Sequence, residues 1–175
     1  MTRNRLSSSV ESGTSLRGTA SALDFALRRL ARRAHSEGEL VGKMTRAGFP
    51  REEIAAALDY LRARRYVDDE AFGRGFAVAA AERKHWGPAR IGRRLRDRGL
   101  SETQIESALA EAFPSGEDRV IEQALARFRR RARDRGTPQQ RKARAYRHLF
   151  ARGFSPEAIR EALSREAAGE RRRPQ

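Results

Sequence analysis

Between Arg83 and Arg98 the chain carries seven cations, Arg83, Lys84, Arg90, Arg93, Arg94, Arg96 and Arg98, against a single acid, Asp97. A guanidinium presents its N–H donors in a planar fork that suits two-point contact with phosphate or carboxylate. On a helix, Arg90, Arg94 and Arg98 would recur every four residues as a stripe beside the inward-facing Ile91 and Leu95, with Arg93 between stripe and solvent. Like charges at that spacing repel one another unless an anion lies against them. Any one of these arginines is adequately read as a solvated helix face. Together they make the best candidate for a surface that meets phosphate or an acidic protein. A second basic region holds Arg127, Arg129, Arg130, Arg131, Arg133 and Arg135, then Arg141, Lys142, Arg144 and Arg147. Its spread around two helices indicates a broad electrostatic footprint rather than a site, within which Arg130, Arg141 and Arg144 are contact candidates.

The other chemistry-bearing residues point elsewhere. Asp68, Asp69 and Glu70 stand where a helix begins and favour its positive end, and no second carboxylate or histidine cluster completes a metal ligand set. His35, His85 and His148 are scattered without metal-binding spacing, so no metal and no cofactor is expected. Trp86 precedes a proline and is expected to pack between helices; stacking on an exposed base is the sharper alternative. Tyr66 and Phe72 are expected to clamp a junction. With 7% aromatic residues the chain is short of base-stacking platforms, so contact with nucleic acid should be mainly to phosphate. No phosphate-binding loop, nucleophile elbow or catalytic carboxylate pair is visible, which argues against an enzyme. The formal net charge is +15 and all but three of the 38 basic residues are arginine. Codon bias would give the same arginine preference, whereas the net charge itself favours a polyanionic partner.

These residues need elements to hold them, and the chain repeats one pattern three times: Leu40, Met44, Gly48, Phe49, Ile54, Leu58; Ile91, Leu95, Gly99, Leu100, Ile105, Leu109; Ala145, Leu149, Gly153, Phe154, Ile159, Leu163. Apolar positions four apart on both sides of a glycine describe helix, tight turn, helix, because glycine takes the left-handed conformation that ends a helix without a Cβ penalty. Restart signals follow at Pro50, Ser101 with Gln104, and Ser155-Pro156. Upstream of each pair lies a third amphipathic stretch, carrying Leu23, Leu27 and Leu30, then Phe72, Phe76 and Ala79, then Ile121, Leu125 and Phe128. Second helices start at Ser36 with Glu39, at Gly87-Pro88, and at Thr137-Pro138 with Gln140.

The expected helices are 21–34, 37–47, 50–65, 69–84, 88–98, 102–112, 117–134, 138–152 and 156–168. The fold class is all-α, an elongated, curved array of three tandem three-helix repeats over 21–66, 67–114 and 115–168. Residues 1–20 and the basic tail 169–175 have little to bury and are expected to be disordered. The absence of cysteine excludes disulfides and thiol chemistry. No apolar run is long enough for a membrane span or signal peptide, so a cytoplasmic protein is expected; a monomer is the expected state.

The run Tyr66-Val67-Asp68-Asp69-Glu70-Ala71-Phe72, followed by Phe76, Trp86-Gly87-Pro88-Ala89-Arg90-Ile91, Leu95 and Gly99-Leu100, closely resembles the central signature of RecX proteins. His35-Ser36, Glu39-Leu40 and Gly48-Phe49 are similar to that family's first module, while the third copy keeps only the repeat skeleton and basic character. Gly73, Gly75 and Gly92 depart from the pattern, each at about 0.5–1 kcal/mol of helix stability relative to alanine. The resemblance implies a non-enzymatic protein that lodges in the groove of the RecA filament on single-stranded DNA and inhibits ATP hydrolysis, strand exchange and coprotease activity, with duplex DNA as a further ligand. A helix-turn-helix reader of a specific duplex sequence is the competing reading. It lacks clear base-reading Asn or Gln on a recognition helix.

Overall fold

The computed structural model describes residues 21–132 and 136–171, with side chains up to residue 168. The expectations for residues 1–20, Arg133, Arg135 and the last four residues lie outside the described residues. Among the described residues there are nine α-helices and no strand: α1 Ala22–Leu30, α2 Glu37–Arg46, α3 Arg51–Ala63, α4 Asp69–Lys84, α5 Pro88–Arg96, α6 Glu102–Ala112, α7 Asp118–Arg131, α8 Pro138–Ala151 and α9 Pro156–Arg171. None of them is long and apolar enough to cross a membrane. The starts match the cap signals. Ser101 and Thr137 each close a capping box with the glutamine three residues on, and Ser21 does the same with Asp24. The turn glycines take φ of +87°, +84° and +88° at Gly48, Gly99 and Gly153. The last helix runs to Arg171, three residues beyond the expected end.

The helices fall into three modules, α1–α3, α4–α6 and α7–α9, and all the extensive helix–helix packing lies inside a module. The repeated apolar skeleton lines the interior, with Leu40, Met44, Ile91, Leu95, Leu149 and Ile159 fully buried. Two first helices turn differently from the expected face. Ala22 and Ala26 of α1, and Gly73, Ala77, Ala80 and Ala81 of α4, are buried, while Leu23, Leu27, Phe72 and Phe76 sit at the rim. Small side chains let α1 approach α3, and α4 approach α6, closely. Gly73 shows the consequence, since a Cβ there would stand 2.8 Å from Leu100 Cδ2.

There are two cores. Ala22, Ala26, Leu40, Met44, Ile54, Leu58, Leu61 and Val67 form the first. The second is continuous from Ala77, Ile91 and Leu95 through Ile105 and Ile121 to Leu149, Phe154 and Leu163, so the second and third modules share one apolar interior. The joint between the first and second modules is polar. Ser36 Oγ donates to the Arg98 carbonyl (2.6 Å), Glu37 N–H donates to Asp69 Oδ1 (2.8 Å), and Glu39 gathers Arg33, His35 and Arg98. Asp68 caps α4 as expected, whereas Asp69 caps the neighbouring module's α2. Tyr66 is not the clamp expected of it. It is 54% exposed, and Val67 takes the inward place.

Candidate nucleic-acid interface

The basic residues are positioned by the joint between the second and third modules. Gly87, the N-cap of α5, is buried; its N–H donates to the Arg152 carbonyl (2.8 Å), and that of Ala89 donates to the Gly153 carbonyl (3.1 Å). These are first-turn N–H groups that no intrahelical acceptor can reach, and the turn between α8 and α9 satisfies them. A Cβ on Gly87 would collide with the Gly153 carbonyl, so glycine is required for the close approach. The result sets α5 against the end of α8. An open groove of about 460 Å³ lies between them, lined by Arg90, Arg93, Arg94, Asp97, Phe150 and Phe154 among others.

Within the groove Arg90 is partly committed. Its Nη1 donates to the Ala151 carbonyl (3.1 Å) and its guanidinium lies 4.4 Å from the Trp86 ring centre. Lys84 covers the same ring at 4.6 Å, and Trp86 packs against the core. Trp86 is therefore the interhelical residue expected, with its ring already taken by two cations. Arg94 stands 3.8 Å from Asp97, and Arg93 is exposed with no ion pair among the described residues.

The stripe is shorter than the sequence suggests, because α5 ends at Arg96. Arg98 lies beyond it, half-buried over the Phe76 ring (4.6 Å), with Nη1 on the Arg94 carbonyl and Nε 3.4 Å from Glu39. That last pair is ionic in distance without hydrogen-bond geometry. Arg96 is held by Glu102 at 2.6 and 2.8 Å. The segment is therefore partly neutralised, since Glu102 reaches it from the next helix and Glu39 from the first module.

Across the joint, Arg152 reaches back under α4. Its Nη1 donates to the carbonyls of Lys84 and His85, closing the helix end, and its Nε donates to His148 Nε2 at 3.0 Å. His148 is stacked on Phe128 with ring centres 4.5 Å apart. Arg127 and Arg131 complete a smaller pocket of about 160 Å³, lined by Arg127, Phe128, Arg131, Ala132, His148 and Arg152, with no carboxylate among the described residues. Burial first, then the charges of Arg90, Arg127 and Arg131, pull the Arg152 pKa below its ordinary value. Burial and Arg152 do the same to His148, and burial with Arg127 and Arg152 to His85. Crowded, partly desolvated cations of this kind are relieved by an arriving anion.

Arg83 and Arg130 are exposed on α4 and α7. Arg141 and Arg144 lie on the α7-facing flank of α8, in a separate groove with Arg129 and Glu166, so the fold does not bring them to Arg93 and Arg94. Sequence reasoning missed Arg152, gave His148 no role, and left Arg127 and Arg131 in a diffuse footprint. One signal was available. The residue before the turn glycine is Ala47 in the first copy but Arg98 and Arg152 in the next two, and these two arginines clasp the preceding module.

The comparisons with known proteins agree with this architecture. Three family models match in order: RecX first three-helix domain over residues 22–61, second over 68–109 and third over 117–163. The chain is 36% identical over 144 residues to the regulatory protein RecX of Chlorobaculum tepidum, covering 82% of this chain and 87% of that protein. It is 39% identical over 133 residues to a Thermus thermophilus protein of the same name, covering 76% and 83%. A crystal structure of regulatory protein RecX superposes with TM-score 0.73 at 23% identity, covering 82% of this chain and 71% of that one. That of RecX from Lactobacillus salivarius gives 0.72 at 15%, covering 82% and 93%. At these identities the structures speak for the fold.

Proposed function

The chain belongs to the RecX family, and from that premise we propose that it binds the RecA filament on single-stranded DNA and restrains ATP hydrolysis, strand exchange and coprotease activity in DNA repair. It acts by occupying a surface, without catalysis. The observation that carries this reading is the cationic joint of the second and third modules. There Arg90, Arg93 and Arg94 line one side, and Arg127, Arg131 and Arg152 the other, with Asp97 as the acid among the described residues that line these two cavities. Phosphates seated there would release counterions, making affinity fall steeply with salt. Arg83, Lys84 and Arg130 extend the field, and Arg141 and Arg144 form a second contact area along α8. Arg98 enters as a residue that fixes the first module beside this surface.

A sequence-specific duplex reader fits less well. The helix after each glycine turn would enter the groove in such a protein, yet α3 exposes Glu52 and Asp59, α6 exposes Glu102, Glu106 and Glu111, and α9 exposes Glu157 and Glu161. Those carboxylates would face phosphate.

The test is RecA ATP hydrolysis on single-stranded DNA with increasing amounts of this protein. Inhibition is expected at or below stoichiometric ratios, and an unchanged rate throughout would remove the proposal. Arg93→Ala with Arg94→Ala is expected to weaken inhibition at least tenfold with helical content intact. Arg90 is left in place because it also binds the Ala151 carbonyl.

A further inference from the structure

Of the eight phenylalanines, only Phe150 is exposed, with 58% of its surface open. It stands on the flank of α8 that faces the α5 groove, and Tyr146, one turn earlier, lies nearly parallel to it, with ring centres 6.3 Å apart and planes 10° apart. Lys142 precedes Tyr146 by one more turn on the same flank and, with Tyr146 and Arg160, lines a further open depression. An isolated exposed phenylalanine is ordinary. This one forms the exposed apolar wall of a groove whose other prominent side chains are the buried Phe154, three arginines, Arg90, Arg93 and Arg94, and one acid, Asp97.

We propose that Phe150 is a stacking platform for an unpaired base of single-stranded nucleic acid, with Arg93 and Arg94 on the adjoining phosphates and Tyr146 and Lys142 continuing the track along α8. The proposal rests on the nucleic-acid-binding surface proposed above and specifies how that surface tells single strands from duplex. Charge decides between the occupants the groove could take. An aliphatic side chain from a protein would cover Phe150 but would desolvate three guanidinium groups without returning any negative charge. A nucleotide supplies a flat π-face to the ring and an anionic phosphate to the arginines in the same unit. A paired base offers no free face, so the ring contributes nothing to duplex binding. Trp86 does not compete for this role, because Lys84 and Arg90 already cover its ring.

The experiment measures the affinity of the full chain, without recombinase, for three oligonucleotides of equal length: a normal single strand, one with abasic sites throughout its centre, and a duplex. The wild type, Phe150→Ala and Phe150→Leu are compared; the position is exposed, and circular dichroism checks that each variant is folded. Wild type is expected to bind the normal strand about five- to a hundredfold more tightly than the abasic one. Both variants should lose that preference while keeping their abasic and duplex affinities. A Phe150→Leu protein that keeps the wild-type preference overturns the proposal, as does a wild type that binds normal and abasic strands equally or binds neither. If Phe150→Leu binds the normal strand like wild type yet no longer restrains the recombinase, the groove holds a protein side chain. The stacking proposal then falls while the filament reading stands.

Discussion

At the scale of single residues, the joints between modules run on side chains that do two things at once. Ser36 accepts the Glu39 N–H as an N-cap (3.2 Å) and donates to the Arg98 carbonyl in the next module. Glu39 does not return the capping-box bond, because Arg33, His35 and Arg98 take its carboxylate. All three histidines described, His35, His85 and His148, have pKa values pulled below 6.5, burial being the first cause in each. Since the unfolded chain then binds protons more readily, stability is full above about pH 6.5 and falls as the pH drops towards the lowered folded values. Urea midpoints at pH 7.5 and 5.5 should show this loss. His148→Gln, which keeps an acceptor for Arg152 but cannot titrate, is expected to reduce the drop. An unchanged drop would exclude His148 as a contributor.

At the scale of elements, α4 distinguishes two glycines that look alike in the sequence. Gly75 is exposed, and a Cβ there would meet nothing within 4 Å. Gly75→Ala should therefore raise stability by about 0.5–1 kcal/mol through helix propensity. Gly73 is buried against Leu100 and Ala108, and a Cβ 2.8 Å from Leu100 Cδ2 overpacks the contact of α4 with α6. Gly73→Ala should lower stability, because overpacking of about 1–3 kcal/mol exceeds the same propensity gain. Chemical denaturation of both variants reads the two signs; equal gains would mean that the end of the Leu100 side chain gives way to the added methyl. The expected inward face of α4, drawn through Phe72 and Phe76, is one position off for a related reason. Periodicity weighs large apolar residues, whereas close packing of two helices selects small ones.

At the scale of the molecule, the modules are unequal. The first owns its core, while the second and third share theirs. Leu40→Ala, a fully buried change costing about 2–5 kcal/mol, should speed hydrogen exchange throughout 22–61 and leave the protection of Ile91, Leu95 and Leu149 nearly unchanged. Uniform loss over all three modules would show a single cooperative unit instead. Gly38→Val probes the polar joint directly, since even a Cβ there would stand 2.5 Å from the Arg98 carbonyl oxygen. The first module should detach without unfolding, seen as a larger radius of gyration at unchanged helical content.

The sequence alone determined the helical class, the three modules, the turns and most of the caps, because each depends on neighbours within a few residues: a glycine at positive φ, a hydroxyl three residues before an N–H, apolar side chains four apart. It also disclosed that Arg90, Arg93 and Arg94 share a helix. Which arginines remain available was decided only in three dimensions. Glu39 reaches Arg98 from 59 positions away and Arg152 reaches Lys84 from 68, and no local period encodes such meetings. The exposure of Phe150 is of the same kind. One apolar residue in an amphipathic helix reads as core until the neighbouring module turns out to approach without covering it.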